Sequence, residues 1–140
     1  MEIRYESSFP SNGWLFNRMN GFLSDFQPRV GGSGIRPAVD VVEDKDGYHF
    51  YFDMPGLKND SFDLRVEDGN LTVTAERNRL EWSKEAALHF SERHYGTFRR
   101  SFELPKDASH DQIHASYKDG VLEVTVEKRP DARPVKIQIN

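Results

Sequence analysis

Five histidines, at positions 49, 89, 94, 110 and 114, are the residues best suited to ligate a metal or carry a proton near neutral pH. His110 and His114 stand four apart with Asp111 between them. That spacing shares one face only on a helix, and it needs a third ligand nearby. Asp107–Ser109 predicts a turn and Ile113 the start of a strand, so no metal site is expected. Carboxylates are plentiful, but none stands in an apolar setting that would mark an acid/base pair. The chain has no Gly-x-Ser-x-Gly elbow and no cysteine, which removes thiol catalysis, thiolate metal sites and disulfides. Gly31-Gly32-Ser33-Gly34 leads into Ile35-Arg36-Pro37, not into Lys-Ser or Lys-Thr, so it is no phosphate-binding loop. Neither a catalytic residue nor a cofactor is expected.

The chemistry that remains is adhesion. Near the end of the chain, Ile137 and Ile139 flank Gln138. In extended backbone, residues two apart point the same way, so the two isoleucines form a pair of apolar knobs while Gln138 faces water. Burying each is worth about 1.5–3 kcal/mol. Ordering a free tail returns much of that, at about 1–2 kcal/mol per fixed residue. Such a contact is weak singly and strong when many copies act together. From Arg129 to Ile137 the tail spans at most about 26–29 Å. At the other end, Phe9, Trp14, Leu15, Phe16, Met19, Phe22 and Phe26 crowd the first 26 residues. Leu15, Met19, Phe22 and Phe26 recur at helical spacing, Ser11 or Asn12 offers a cap, and Gly21 weakens the helix. This arm either packs on the domain or sticks to other chains, and the glycine hinge at 31–34 favours the second.

Between these ends the pattern is that of strands. Val39 and Val41 alternate up to the Asp46-Gly47 turn, and Tyr48–Phe52 runs to Pro55-Gly56. Phe62, Leu64 and Val66 alternate up to Asp68-Gly69, and Leu71, Val73 and Ala75 follow. Phe98, Arg100 and Phe102 share one side before Pro105. Ile113, Ala115 and Tyr117 lead to Asp119-Gly120, and Val121–Val126 completes the set. Short alternating runs with Asp-Gly turns predict an all-β antiparallel sandwich or barrel. Residues 78–95 are charged and overlong for a hairpin loop, which points to a functional loop or to pairing outside the domain, with Leu88–Glu92 as a short strand in it. Pro130 and Pro134 then favour an extended arm.

Charge adds an exclusion. Residues 36–126 carry 12 basic and 18 acidic groups, so the chain lacks the concentrated basic face that nucleic acid requires. Residues 127–140 carry four basic and two acidic groups and read as a solubilising tail. No apolar run is long enough to span a membrane. No secretory leader is recognisable, and the lack of cysteine suits a reducing cytoplasm, the expected location.

Several of these segments together resemble the α-crystallin or small heat-shock protein family, in its bacterial and plant branch. They are Asp53-Met54-Pro55-Gly56-Leu57, Asp68-Gly69-Asn70-Leu71-Thr72-Val73, and Glu92 to Phe102 followed by Leu104-Pro105. The most specific is Ala115-Ser116-Tyr117-Lys118-Asp119-Gly120-Val121-Leu122, similar to the family's A-x-x-x-N-G-V-L signature with Asp in place of Asn, a change that keeps the turn. Ile137-Gln138-Ile139 matches the family's isoleucine–any–isoleucine tail. The likeness runs continuously from about Arg36 to Lys128 and returns at the C-terminus.

The resemblance implies an immunoglobulin-like sandwich of seven to nine strands over residues 36–128. It implies a flexible N-terminal arm over 1–35 and an extended tail over 129–140. It implies an ATP-independent chaperone that binds partly unfolded clients through the aromatic arm and assembles from dimers into a large homo-oligomer. The 78–95 segment would carry a strand exchanged with a partner, which places Leu88, Phe90 and Tyr95 at a dimer interface. Arg100 aligns with the family's signature arginine, with an interface salt bridge as its implied role. Phe62, Leu64, Ile113 and Ala115 become candidates for the groove that receives the tail, although the same residues could instead face the core. A monomeric or dimeric docking module on the same sandwich, co-chaperone-like or sugar-binding, is the competing expectation. Such a module would need neither tail nor arm.

Overall fold

Alternating side chains and two-residue turns produce seven antiparallel strands in the computed structural model, which describes residues 35–132 and 135–140. They are β1 (Val39–Glu43), β2 (Gly47–Asp53), β3 (Phe62–Glu67), β4 (Asn70–Arg77), β5 (Gly96–Glu103), β6 (Ala108–Lys118) and β7 (Val121–Lys128). The order is β1-β2-β7-β6 in one sheet and β3-β4-β5 in the other. The aromatic arm, with Phe9, Trp14, Leu15, Phe16, Met19, Phe22 and Phe26, and the glycine hinge lie outside the described residues.

Two hairpins show how local chemistry sets register. Asp68-Gly69 has φ of 50° and 75°, and Asp119-Gly120 has φ of 54° and 80°. Both central residues of each turn are left-handed, the requirement of the tight hairpin turn whose twist matches the strands it joins. The β3–β4 turn pairs Glu67 with Asn70, and the β6–β7 turn pairs Lys118 with Val121. Each pairing sends one alternate set of side chains inward.

That inner set is the core. Phe50 and Phe52 from β2, Leu71 and Val73 from β4, Phe102 from β5, and Val124 and Val126 from β7 are all but excluded from solvent. Phe102 of the smaller sheet packs on Phe50 and Phe52 of the larger, with ring centroids 5.2 and 6.0 Å apart at tilted angles. Such tilted rings add about 0.5–1.5 kcal/mol beyond the area they bury.

The two sides of the sandwich are finished differently. On one side Ile35 bridges to β5 in parallel, donating to Thr97 O at 2.9 Å and accepting from Arg99 N at 3.1 Å, before the chain enters β1. This stitches the sheets together. On the other side, β3 and β6 are the outer strands, and no strand among the described residues pairs with their free edges.

Two sequence expectations need correction. The stretch after Asp107 is no plain turn, because β6 begins at Ala108 and carries an irregularity between Ala108 and Ile113. Ala108 pairs with Lys128 and Ile113 with Val126, five steps on β6 against two on β7. The surplus residues are polar, with Ser109 buried and His110, Asp111 and Gln112 exposed, and that break in alternation hid the strand from a period-two reading. Leu88–Glu92, expected to form a strand, forms none within the single chain. An extended segment with no neighbour has nowhere to send its backbone hydrogen bonds except water.

Candidate functional site: an open apolar edge

Strand register decides which way the candidate groove residues point. Phe62 pairs with Ala75, Leu64 with Val73 and Val66 with Leu71, and each of those partners is core. Across the sandwich Ile113 pairs with Val126, Ala115 with Val124 and Tyr117 with Leu122, again all core. Directly opposed residues share a face. Phe62, Leu64, Ile113 and Ala115 therefore all face inward, toward the space between the sheets. Yet Phe62, Leu64, Val66, Ile113 and Tyr117 are only partly buried, and Ala115 is exposed. Inward-facing but uncovered apolar side chains describe a cleft that opens along the β3 and β6 edges.

One end of the cleft is closed by Tyr117. Its ring lies 4.8 Å from that of Phe62, centroid to centroid, and its hydroxyl donates to Met54 O at 2.8 Å. The small side chain of Ala115, between Ile113 and Tyr117 on the same face, leaves the gap. Val66 and Tyr117 were absent from the candidates, although they continue the same period-two runs as Phe62–Leu64 and Ile113–Ala115.

The tail stands apart from the sandwich. Val135, Ile137 and Ile139 are 81%, 84% and 96% exposed. In the 78–95 segment Leu80, Trp82, Leu88 and Phe90 are also exposed, with Phe90 at 77%. Leu80 and Trp82 are further exposed apolar residues that no period or motif singles out. Val42 on β1, an outer strand of the larger sheet, is half exposed as well.

Arg100 points into the sandwich between Phe98 and Phe102 and is 9% exposed. Its guanidinium lies 5.1 Å from the Phe102 ring centroid and donates to Pro37 O at 3.1 Å. The segment leading into β1 is thereby tied to β5. Tyr95, just before β5, is partly buried beneath two arginine side chains.

At the β1–β2 turn, Asp44 Oδ1 accepts from the backbone N–H of Asp46 and of Gly47, both at 2.8 Å. Its other oxygen meets His49 Nε2 at 2.8 Å, while His49 Nδ1 meets Thr125 Oγ1 at 3.1 Å. The Asp46 and Gly47 N–H groups, and then His49, hold the Asp44 carboxyl below the usual carboxylate range. The cluster braces the turn to β7. Among the described residues no group of three or more His, Asp or Glu is placed to hold a metal ion, and no helix is long and apolar enough to cross a membrane.

Topology, inward-facing open edges and a detached apolar tail define an antiparallel sandwich of the α-crystallin type. Residues 40–140 match the Hsp20/alpha crystallin family, and the chain belongs to that family. It is 30% identical over 126 residues to the small heat shock protein C4 of Rickettsia felis, covering 90% of this chain and 76% of that protein. It is 43% identical over 100 residues to the 17.6 kDa class II heat shock protein of Arabidopsis thaliana, covering 70% of this chain and 64% of that protein. Among solved structures, a small heat-shock protein from Xylella fastidiosa superposes with a TM-score of 0.63 at 34% identity, over 74% of this chain and 95% of that one. Heat shock protein 16.0 from Schizosaccharomyces pombe gives 0.64 at 30% identity, over 76% and 99%. Proteins of this family are stress-response chaperones and not enzymes.

Proposed function

We propose that this chain is an ATP-independent holdase, which binds partly unfolded proteins and keeps them from aggregating as a large homo-oligomer built from dimers. The observation that carries this reading is the pairing, within one chain, of an exposed Ile137–Ile139 knob pair with an uncovered apolar cleft along β3 and β6. Each is a liability in a lone subunit, and each is the complement of the other. A tail from one subunit docks in the cleft of another, with Ala115 leaving room for an isoleucine. In the dimer, the exposed 78–95 segment gains the backbone partner it lacks by lying along the β1 edge of a second subunit. Leu88 and Phe90 are buried there, Tyr95 stands at the margin, and Arg100 forms a salt bridge across the interface.

The arm over 1–35 serves client adhesion, the sandwich over 36–128 dimerisation, and the tail over 129–140 assembly. Clients are recognised by apolar contact with the arm and with vacated clefts, which is non-directional and so tolerant of sequence. The setting we assign is the cytoplasm.

The test combines two measurements on the full chain. Light scattering coupled to gel filtration is expected to give assemblies of roughly a dozen subunits or more, the avidity regime of many weak tails. An unrelated enzyme heated with the protein and without nucleotide is expected to stay in solution. A monomer or dimer that leaves client aggregation unchanged at every temperature overturns the proposal in favour of a docking module.

A further inference from the structure

The cleft has two ends as well as two walls. At one end the Phe62 and Tyr117 rings meet at 4.8 Å. The Tyr117 hydroxyl donates to Met54 O at 2.8 Å and accepts from Leu57 N at 3.4 Å, which holds that ring in place. At the other end His110 lies against the β3–β4 turn: a Cβ placed on Gly69 would stand 3.9 Å from the imidazole Cε1. Gly69 comes seven residues after Phe62 and His110 seven before Tyr117, so β3 and β6 pass each other in opposite directions. Between the two ends the inward positions are Leu64 and Val66 on one wall and Ala115 and Ile113 on the other. The cleft therefore offers two places for apolar side chains, one level with Leu64 and Ala115, the next with Val66 and Ile113.

The tail brings three knobs to these two places. Val135, Ile137 and Ile139 are all strongly exposed and stand at alternate positions. In an extended chain, residues two apart are separated by about 6.6–7.2 Å, the same step that separates inward residues along a strand. Any two consecutive knobs match the two places, and the tail holds two such pairs. The root of the tail is tied to the domain: Arg129 N donates to Asp107 O at 2.8 Å, and Ala132 N to Arg129 O at 2.9 Å. From Ala132, three residue steps reach Val135 and five reach Ile137, spans of at most about 10–11 Å and about 16–18 Å.

We infer that the tail of one subunit docks in the cleft of another in two registers, seating either Ile137 with Ile139 or Val135 with Ile137. This rests on the tail-docking reading above and adds the register to it. Ile137 is seated in both registers, whichever way the tail runs along the cleft. The second register exchanges Ile139 for Val135, one methylene less, so the first is favoured about fourfold. The second also shortens the span from Ala132 to the nearer seated residue by about 7 Å. One tail can thereby bridge two subunit separations, and assemblies of more than one size close from the same parts.

Native mass spectrometry over a dilution series of the full chain tests this with serine substitutions in the tail. All three residues are solvated in the single chain, so the variants should keep the parent's circular dichroism. Ile139→Ser falls back on the second register, which weakens each tail contact only about fourfold, and the assembly should persist. Ile137→Ser leaves one knob in either register, weakens each contact about fiftyfold or more, and should release dimers. Val135→Ser should keep the assembly and narrow its spread of masses. Val135→Ser combined with Ile139→Ser should be as damaging as Ile137→Ser, far beyond the sum of its two single changes. In a parent that assembles, equal loss from Ile139→Ser and Ile137→Ser, or an unchanged spread of masses in Val135→Ser, overturns the two registers and leaves tail docking standing. A parent that never assembles, or an Ile137→Ser chain that assembles as the parent does, overturns tail docking and the registers with it.

Discussion

Replacing Ile137 and Ile139 together by alanine isolates the tail contact from everything else in the chain. Both side chains are almost fully exposed in the lone subunit, at 84% and 96%, so their removal leaves the sandwich intact. Each change deletes three carbons, and at about 0.8 kcal/mol per buried methylene the loss is about 2.4 kcal/mol per side chain in the docked state. The entropy of ordering the tail is the same before and after, so it cancels from the difference. The pair thus weakens each tail contact by up to about 5 kcal/mol, between three and four powers of ten in its equilibrium constant. Light scattering over a dilution series should show the assembly collapsing to dimers at all concentrations. The melting temperature of the sandwich should fall only by what assembly itself contributed. Gln138→Ala is the control, since residue 138 faces away from both knobs, and it should leave the mass unaltered. A doubly substituted chain that elutes at the original volume would refute both the docking geometry and the energetic reasoning.

Four other perturbations follow from the same geometry. Ala115→Phe fills the cleft between Ile113 and Tyr117; it should shrink the assembly as the tail variant does while circular dichroism stays unchanged. Leu88→Asp with Phe90→Asp should yield folded monomers by sedimentation, because both residues are solvated in the single chain and matter only when a partner covers them. Arg100→Leu removes the donor to Pro37 O and leaves that carbonyl buried; a loss of roughly 2–3 kcal/mol by urea melting is expected, together with a weaker dimer. Asp44→Asn tests the turn brace by pH. The Asp44 carboxyl is depressed in the folded state, so its contribution is fully present above the unfolded carboxylate value of about 4 and disappears as pH falls through the folded one. The variant should be less stable than the parent near neutrality and equal to it in strong acid, as read from urea midpoints.

Much of the sandwich could be read before any coordinate, because the inner residues announce themselves. Phe50, Phe52, Leu71, Val73, Phe102, Val124 and Val126 fall on alternate positions between turn residues whose conformation only Gly, Asp or Asn adopts cheaply. Where the alternation broke, the reading broke. Ser109 to Gln112 look like a loop because the bulge on β6 sets aside the rule that links sequence position to face. Alternation also left open whether Phe62, Leu64, Ile113 and Ala115 are covered, because it gives the side but not the neighbour. Only the strand order, with β3 and β6 outermost on the same flank, makes them the walls of a cleft.

The bulge in β6 also bears on a hazard. A strand on the outside of a sheet offers its unpaired amides to any extended polypeptide, including its own kind, and fibrils grow by that route. The surplus residues between Ala108 and Ile113 interrupt the ladder that β6 makes with β7, and a bulge of this kind bends a strand and strengthens its local twist. Strand-by-strand accretion is thereby discouraged on the open flank, and the holdase role proposed above, which brings the protein among half-unfolded chains, gives it reason to avoid becoming a seed for amyloid itself.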